Sequence, residues 1–88
     1  MDDLKKIRNL GPASIRMLHA AHITSEAQLR QLGAIAAYMA IQRSDEKPSL
    51  NLLWALEGAL SNRDWKTVAR DERTAMLLTL TTLQENAG

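Results

Sequence analysis

The sequence predicts an all-α fold, a bundle of five to six short helices in tandem hairpins around one hydrophobic helix at about 50–61. Three observations predict it. Apolar residues recur at helical spacing along the whole chain, and no window holds a period of two with the β-branched and aromatic residues that strands favour. Glycine and proline fall between these helical stretches, where they end one helix or open the next. Finally, Leu50 to Ser61 leaves only Asn51, Glu57 and Ser61 strongly polar, the pattern of a helix enclosed by others.

The first helix is expected from about Asp3 to Asn9, with Asp2 and Asp3 at the positive end of its dipole, Leu4, Ile7 and Leu10 on one side, and Gly11 as its stop. Pro12 fits only a first helical turn, so Gly11-Pro12 reads as a tight hairpin opening a second helix that runs to about Ala21. Ile15, Leu18 and Ala21 form its buried side. That helix ends at His22, where a positive φ is required and where histidine is among the residues that tolerate one. Thr24 or Ser25 caps a third helix to Leu32, Gly33 ends it, and a fourth covers about Ala34 to Arg43.

The turn-forming run Ser44-Asp45-Glu46-Lys47-Pro48-Ser49 reverses the chain, with Ser49 as N-cap of the apolar helix. Gly58 within that helix costs about 1 kcal/mol relative to alanine, so a neighbouring backbone should approach it closely. Asp64 caps a short helix from Trp65 to Ala69. Asp71 caps a last one to about Glu85, with Arg73, Met76, Leu77, Leu80 and Leu83 three and four apart. Residues Asn86 to Gly88 should fray.

Length and composition bound the function. With 88 residues, 45% of them hydrophobic and 24% charged, the chain is a single soluble domain whose core consumes most of its apolar residues. The absence of cysteine removes disulfides, thiolate chemistry and sulfur-ligated zinc, and suits a reducing compartment. No run reaches the roughly 18–20 apolar residues of a membrane span, and the N-terminus lacks the apolar stretch of a signal peptide, so a cytoplasmic protein without membrane contact is expected. A net charge of +1 is far from the basic balance of a dedicated nucleic-acid binder.

An internal repeat is the most informative pattern. Ile7-Arg8-Asn9-Leu10-Gly11 matches Leu29-Arg30-Gln31-Leu32-Gly33, and each copy is followed by a helix with Met17 and Met39 in register. Two short helices joined at a glycine and used twice make a tandem helix-hairpin-helix layout. In that layout glycine admits close backbone approach, and the N–H groups opening the next helix suit a phosphate oxygen. Lys5, Lys6, Arg8, Gly11, Pro12, Ser14, Arg16, Arg30 and Gly33 are the candidate partner-binding residues. Short helices ended by glycine also serve packing alone, and the second glycine of a fuller phosphate-binding hairpin is replaced here by Ala13 and Ile35.

Other residues have structural readings. His19 and His22 are spaced for a shared metal but no third ligand is positioned, and Glu57 should pair with an arginine or a backbone donor. Trp54, Trp65 and Tyr38 read as core plugs; base stacking would require exposure and interleaved Lys or Arg, and only Trp65, flanked by Arg63, Asp64 and Lys66, comes near that pattern. No nucleophile with its base, metal set or phosphate-cradling glycine loop can be assembled, so neither an enzyme, a cofactor nor a small-molecule substrate is expected.

From about residue 4 to 83 the chain resembles the C-terminal domain of the TfoX/Sxy family of bacterial competence regulators. The resemblance rests on Asn9-Leu10-Gly11-Pro12-Ala13-Ser14 with Met17-Leu18, on Ile23-Thr24 and Leu29 to Ala34, and above all on Ser49 to Leu60 followed by Trp65. It implies a helical domain, residues 1–88 here as a stand-alone copy, that in this family often follows an N-terminal α/β domain. It also implies a part in positive regulation of genes for natural DNA uptake. His22 stands where the family tends to carry glycine. Docking on DNA or a DNA-bound regulatory protein is the function expected; a protein-interaction or homo-oligomerisation domain, using the last helix or Met17 and Met39, is the alternative.

Overall fold

The computed structural model describes residues 3–7 and 9–87, with the side chains of Asp3, Lys5 and Ala87 left aside. Asp2 and Arg8 therefore lie outside the described residues. A 3-10 turn, Asp3–Lys6, precedes six helices: α1 (Pro12–Ala20), α2 (Glu26–Leu32), α3 (Ala34–Arg43), α4 (Leu50–Ser61), α5 (Trp65–Asp71) and α6 (Arg73–Ala87). Among the described residues there is no strand.

The expected helix from Asp3 to Asn9 is thus only a turn. Asn9 adopts φ 73°, a left-handed conformation that no right-handed helix can contain. Its side chain is spent elsewhere, donating from Nδ2 to the Arg63 carbonyl at 2.7 Å. Four non-glycine residues, Asn9, His22, Asp45 and Asn62, have positive φ among the described residues, and all are of the types that tolerate it best. Two of them end helices identically. His22 follows α1 and lets Ile23 N–H reach the Leu18 carbonyl at 2.8 Å; Asn62 follows α4 and lets Arg63 N–H reach the Gly58 carbonyl at 2.8 Å. Leu18 and Ile23 are both buried, the apolar contact that accompanies such an end.

Helix starts follow the sequence more closely. The Ser25 hydroxyl accepts the Gln28 N–H at 3.2 Å, and Gln28 Oε1 accepts the Thr24 N–H at 2.8 Å, so both residues proposed for this cap take part. Asp64 caps α5 by accepting the Lys66 N–H at 2.8 Å. Asp71 does not cap α6: it is the last residue of α5, and its carboxylate accepts from Arg70 Nε at 2.9 Å. The α5 helix runs two residues further than expected because Glu72 N–H still closes onto the Val68 carbonyl at 2.8 Å.

The core lies around α4, whose Leu53 and Leu56 are fully buried and whose Trp54 is 3% exposed. Leu4, Leu18, Leu29, Ile41 and Val68 close around it from the turn, α1, α2, α3 and α5. Gly58 allows the closest approach: a Cβ there would lie 2.6 Å from the Arg63 carbonyl oxygen and 2.6 Å from Asn9 Nδ2. Arg63 then ties this corner outward, bonding Ser61 Oγ at 2.9 Å and pairing with Glu72 at 3.2 Å and Glu57 at 3.7 Å. Glu57 is accordingly half-exposed and held by an arginine. Against α3 lies α6, through buried Met76 and Leu80 and a hydrogen bond of 2.9 Å that Gln84 Nε2 donates to Gln42 Oε1.

Candidate functional site

The first bend is an exposed entry to α1. Asn9 turns the chain, Leu10 is buried, and Gly11 is extended at φ −90°, ψ 179°. The Gly11 carbonyl accepts the Ile15 N–H at 3.0 Å, so glycine serves as N-cap without a side chain to offer. Pro12 supplies no N–H, and those of Ala13 and Ser14 belong to the first turn, where the helix has no acceptor for them. Among the described residues no side chain caps them. Gly11, Pro12 and Ala13 are exposed and Ser14 is half-buried.

The second bend is built differently. Gly33, at φ 84° and ψ 165°, occupies a region open essentially to glycine alone. It ends α2 by donating to the Leu29 carbonyl at 2.9 Å and starts α3 by accepting from Ala37 N–H at 3.1 Å. Ala34 just after it is 4% exposed, with Ile35 and Ala36 half-buried. The repeated pattern therefore yields one bend whose glycine and following residues are exposed and one whose half-buried glycine leads into a buried helix start.

The cations divide likewise. Lys6 is exposed beside the first bend, whereas Arg8 and the Lys5 side chain fall outside the described residues. Arg16, one turn into α1, pairs with Glu46 of the α3–α4 loop at 2.6 Å, its side chain 61% exposed. Arg30 is engaged internally, with Glu26 at 2.6 Å and the Leu60 carbonyl at 3.2 Å. Gly11, Pro12, Ser14 and Arg16 thus share one helix start, while Arg30 and Gly33 belong to the α2–α3 corner.

Beside the first bend lies a cleft of about 250 Å³ that the sequence did not reveal. Asn9, Ala13, Ser14 and Met17 line it from the bend and α1, Ser49, Asn51, Leu52 and Ala55 from the start of α4, and Trp65 from the start of α5. Ser49 is the N-cap of α4 yet makes no capping bond with its hydroxyl, and Asn51 is exposed. Trp65 is half-buried, with Lys66 Nζ 5.8 Å from its ring centre. The one available signal was the presence of Trp65 between Arg63 and Lys66, but nothing in the spacing places it beside the starts of α1 and α4.

With this geometry established, comparison with protein families matches residues 1–80 to the model described as TfoX C-terminal domain. The chain belongs to the TfoX C-terminal domain family. No curated protein and no solved structure matches it. In this TfoX C-terminal domain His22 is indeed left-handed at φ 65°, which accounts for the glycine expected there from the resemblance. Among the described residues no group of three His, Cys, Asp or Glu is placed to hold a metal ion, and no helix is long and apolar enough to cross a membrane.

Titration is perturbed away from the bend. Burial raises the Tyr38 phenol above its ordinary 10.0, and its hydroxyl donates to the Pro48 carbonyl at 3.1 Å. The hydrogen bond from Arg70 lowers the Asp71 carboxyl, and the same bond raises Arg70. Both groups are fully exposed partners on one helix and mark no site.

Proposed function

We propose that this TfoX C-terminal domain is a small non-enzymatic regulatory or accessory module of the competence type. It docks, in the cytoplasm, on DNA or a DNA-bound protein through its first bend. The observation that carries the reading is the exposed Gly11–Ser14 start of α1, whose amides have no side-chain cap. A phosphate oxygen suits such amides, and the helix dipole adds to the attraction. Lys6 and Arg16 supply charge around it and Lys5 and Arg8 adjoin it in sequence, while Arg30 and Gly33 of the second bend are supporting structure.

Duplex binding measured by fluorescence anisotropy across a salt series tests this. Affinity should fall steeply with salt, and Arg16→Glu together with Arg8→Glu should abolish it. Glu46→Gln, which releases Arg16 from its pair, should tighten binding. Gly11→Ala is the most selective variant, because a Cβ there meets nothing within 4 Å and leaves the fold intact while standing in the path of a partner. Undetectable or salt-insensitive binding would reject a direct DNA contact.

One observation favours the alternative, a protein-interaction or homo-oligomerisation domain. The α6 helix carries no charge from Thr74 to Gln84, and Leu78 and Leu83 are 68% and 42% exposed on it. Sedimentation decides: a strict monomer over a wide concentration range argues against self-association through α6.

A further inference from the structure

We infer that the cleft between α1, α4 and α5 receives a single unpaired nucleobase. This deepens the nucleic-acid form of the proposed function and rests on it. At about 250 Å³ the cleft falls below the roughly 300–1,000 Å³ of sites for drug-sized ligands, so its occupant is one ring system. Its lining contains no charged side chain, which disfavours a metal ion or a free anion as the occupant. What it contains is a floor of Ala13, Met17, Leu52 and Ala55, an aromatic wall, and a rim of neutral donors and acceptors.

That combination fits a flat heteroaromatic ring whose edge carries its own amide-like groups. Trp65 provides a stacking surface of the kind that holds unstacked bases. Ser49 is free of the capping role its position normally imposes, and Ser14 of α1 lines the same cleft. Asn51 can offer both amide polarities, whereas Asn9 has committed Nδ2 to the Arg63 carbonyl and keeps Oδ1 as acceptor. An apolar side chain from a partner protein would desolvate this rim without answering it. The phosphates attached to a bound base would have Lys66, whose Nζ is 5.8 Å from the Trp65 ring centre, and the exposed α1 start as the positive groups that a base inside the neutral cleft does not itself require.

Two-dimensional 1H–15N spectra of the whole domain, titrated with thymidine monophosphate and then with oligothymidylate, read the cleft directly. Shifts should gather on Ser14, Asn51 and the Trp65 indole, and leave the buried Trp54 indole unmoved. Oligothymidylate should bind at least about fivefold more tightly than a duplex of equal length, the low end of a stacking gain. Asn51→Ala, at an exposed position, should weaken the single strand several-fold and leave duplex affinity unchanged. Silence of these signals, shifts spread evenly over the surface, or the same shifts produced by maltose would each overturn the inference. Duplex binding with a silent cleft would remove the base site and keep the docking at the first bend. Cleft shifts without duplex binding would do the reverse.

Discussion

Replacing Gly58 by alanine sets helix propensity directly against packing. Alanine in the middle of α4 should gain about 1 kcal/mol over glycine. Yet its methyl would lie 2.6 Å from the Arg63 carbonyl oxygen and 2.6 Å from Asn9 Nδ2, with Trp65 N at 3.5 Å. Ordinary contact starts near 3.5 Å, so about 1 Å of separation must be found. Swinging the carbonyl away means turning the Arg63–Asp64 peptide, which sits between the Arg63 N–H held on the Gly58 carbonyl at 2.8 Å and the Asp64 cap of α5. The Asn9 amide can retreat only by giving up its 2.7 Å bond to that same Arg63 carbonyl. Overpacking of this kind costs about 1–3 kcal/mol and the lost hydrogen bond about 0.5–1.5 kcal/mol. After the propensity gain the variant should be less stable by about 0.5–3.5 kcal/mol, which in a domain of this size lowers Tm by about 2–28 °C. Thermal and urea unfolding followed by circular dichroism measures it. Asn9→Ala combined with Gly58→Ala should lose less than the two single changes added together. A Gly58→Ala domain as stable as the parent would refute the reasoning, since propensity would then outweigh the contact.

The two repeated glycines should respond oppositely: Gly33→Ala, forced into φ 84° and ψ 165°, should cost about 1–3 kcal/mol in urea unfolding, while Gly11→Ala stays within about 0.5 kcal/mol of the parent. His22→Gly should stabilise by about 0.5–1 kcal/mol in the same assay, because φ 65° strains histidine and not glycine; a loss would mean that the imidazole makes a contact worth more than the strain. Tyr38 governs the alkaline limb: its folded pKa is raised above the unfolded 10.0, so its contribution is complete below about pH 10 and is lost as pH rises through the folded value. Tyr38→Phe should flatten that limb at the cost of the Pro48 hydrogen bond, and absorbance at the phenolate band follows the titration; an unchanged limb would assign alkaline unfolding to other groups.

Helical periodicity located every helix from α1 onward because each of those segments has an apolar face that the core claims, and a face is legible from spacing alone. The cap residues Ser25 and Asp64, the left-handed His22 and the close approach at Gly58 were equally local, since each is a backbone demand met by one residue type. The first element failed the same reading. Leu4, Ile7 and Leu10 have helical spacing, but Asn9 exchanges helix continuation for a bond to Arg63, 54 positions away. Asp71 looked like a cap and became a helix end because α5 runs two residues further than its pattern suggests.

By itself the sequence determined the all-α class, the enclosed α4 and membership in its family, for these depend on residue type at short separations. Tertiary structure alone decided which glycine bend leaves the following helix start exposed, which arginines are already paired and that a neutral cleft opens between α1, α4 and α5. Those outcomes depend on which distant elements meet, and the energies that bring them together are summed over the whole core, not stored in any local pattern.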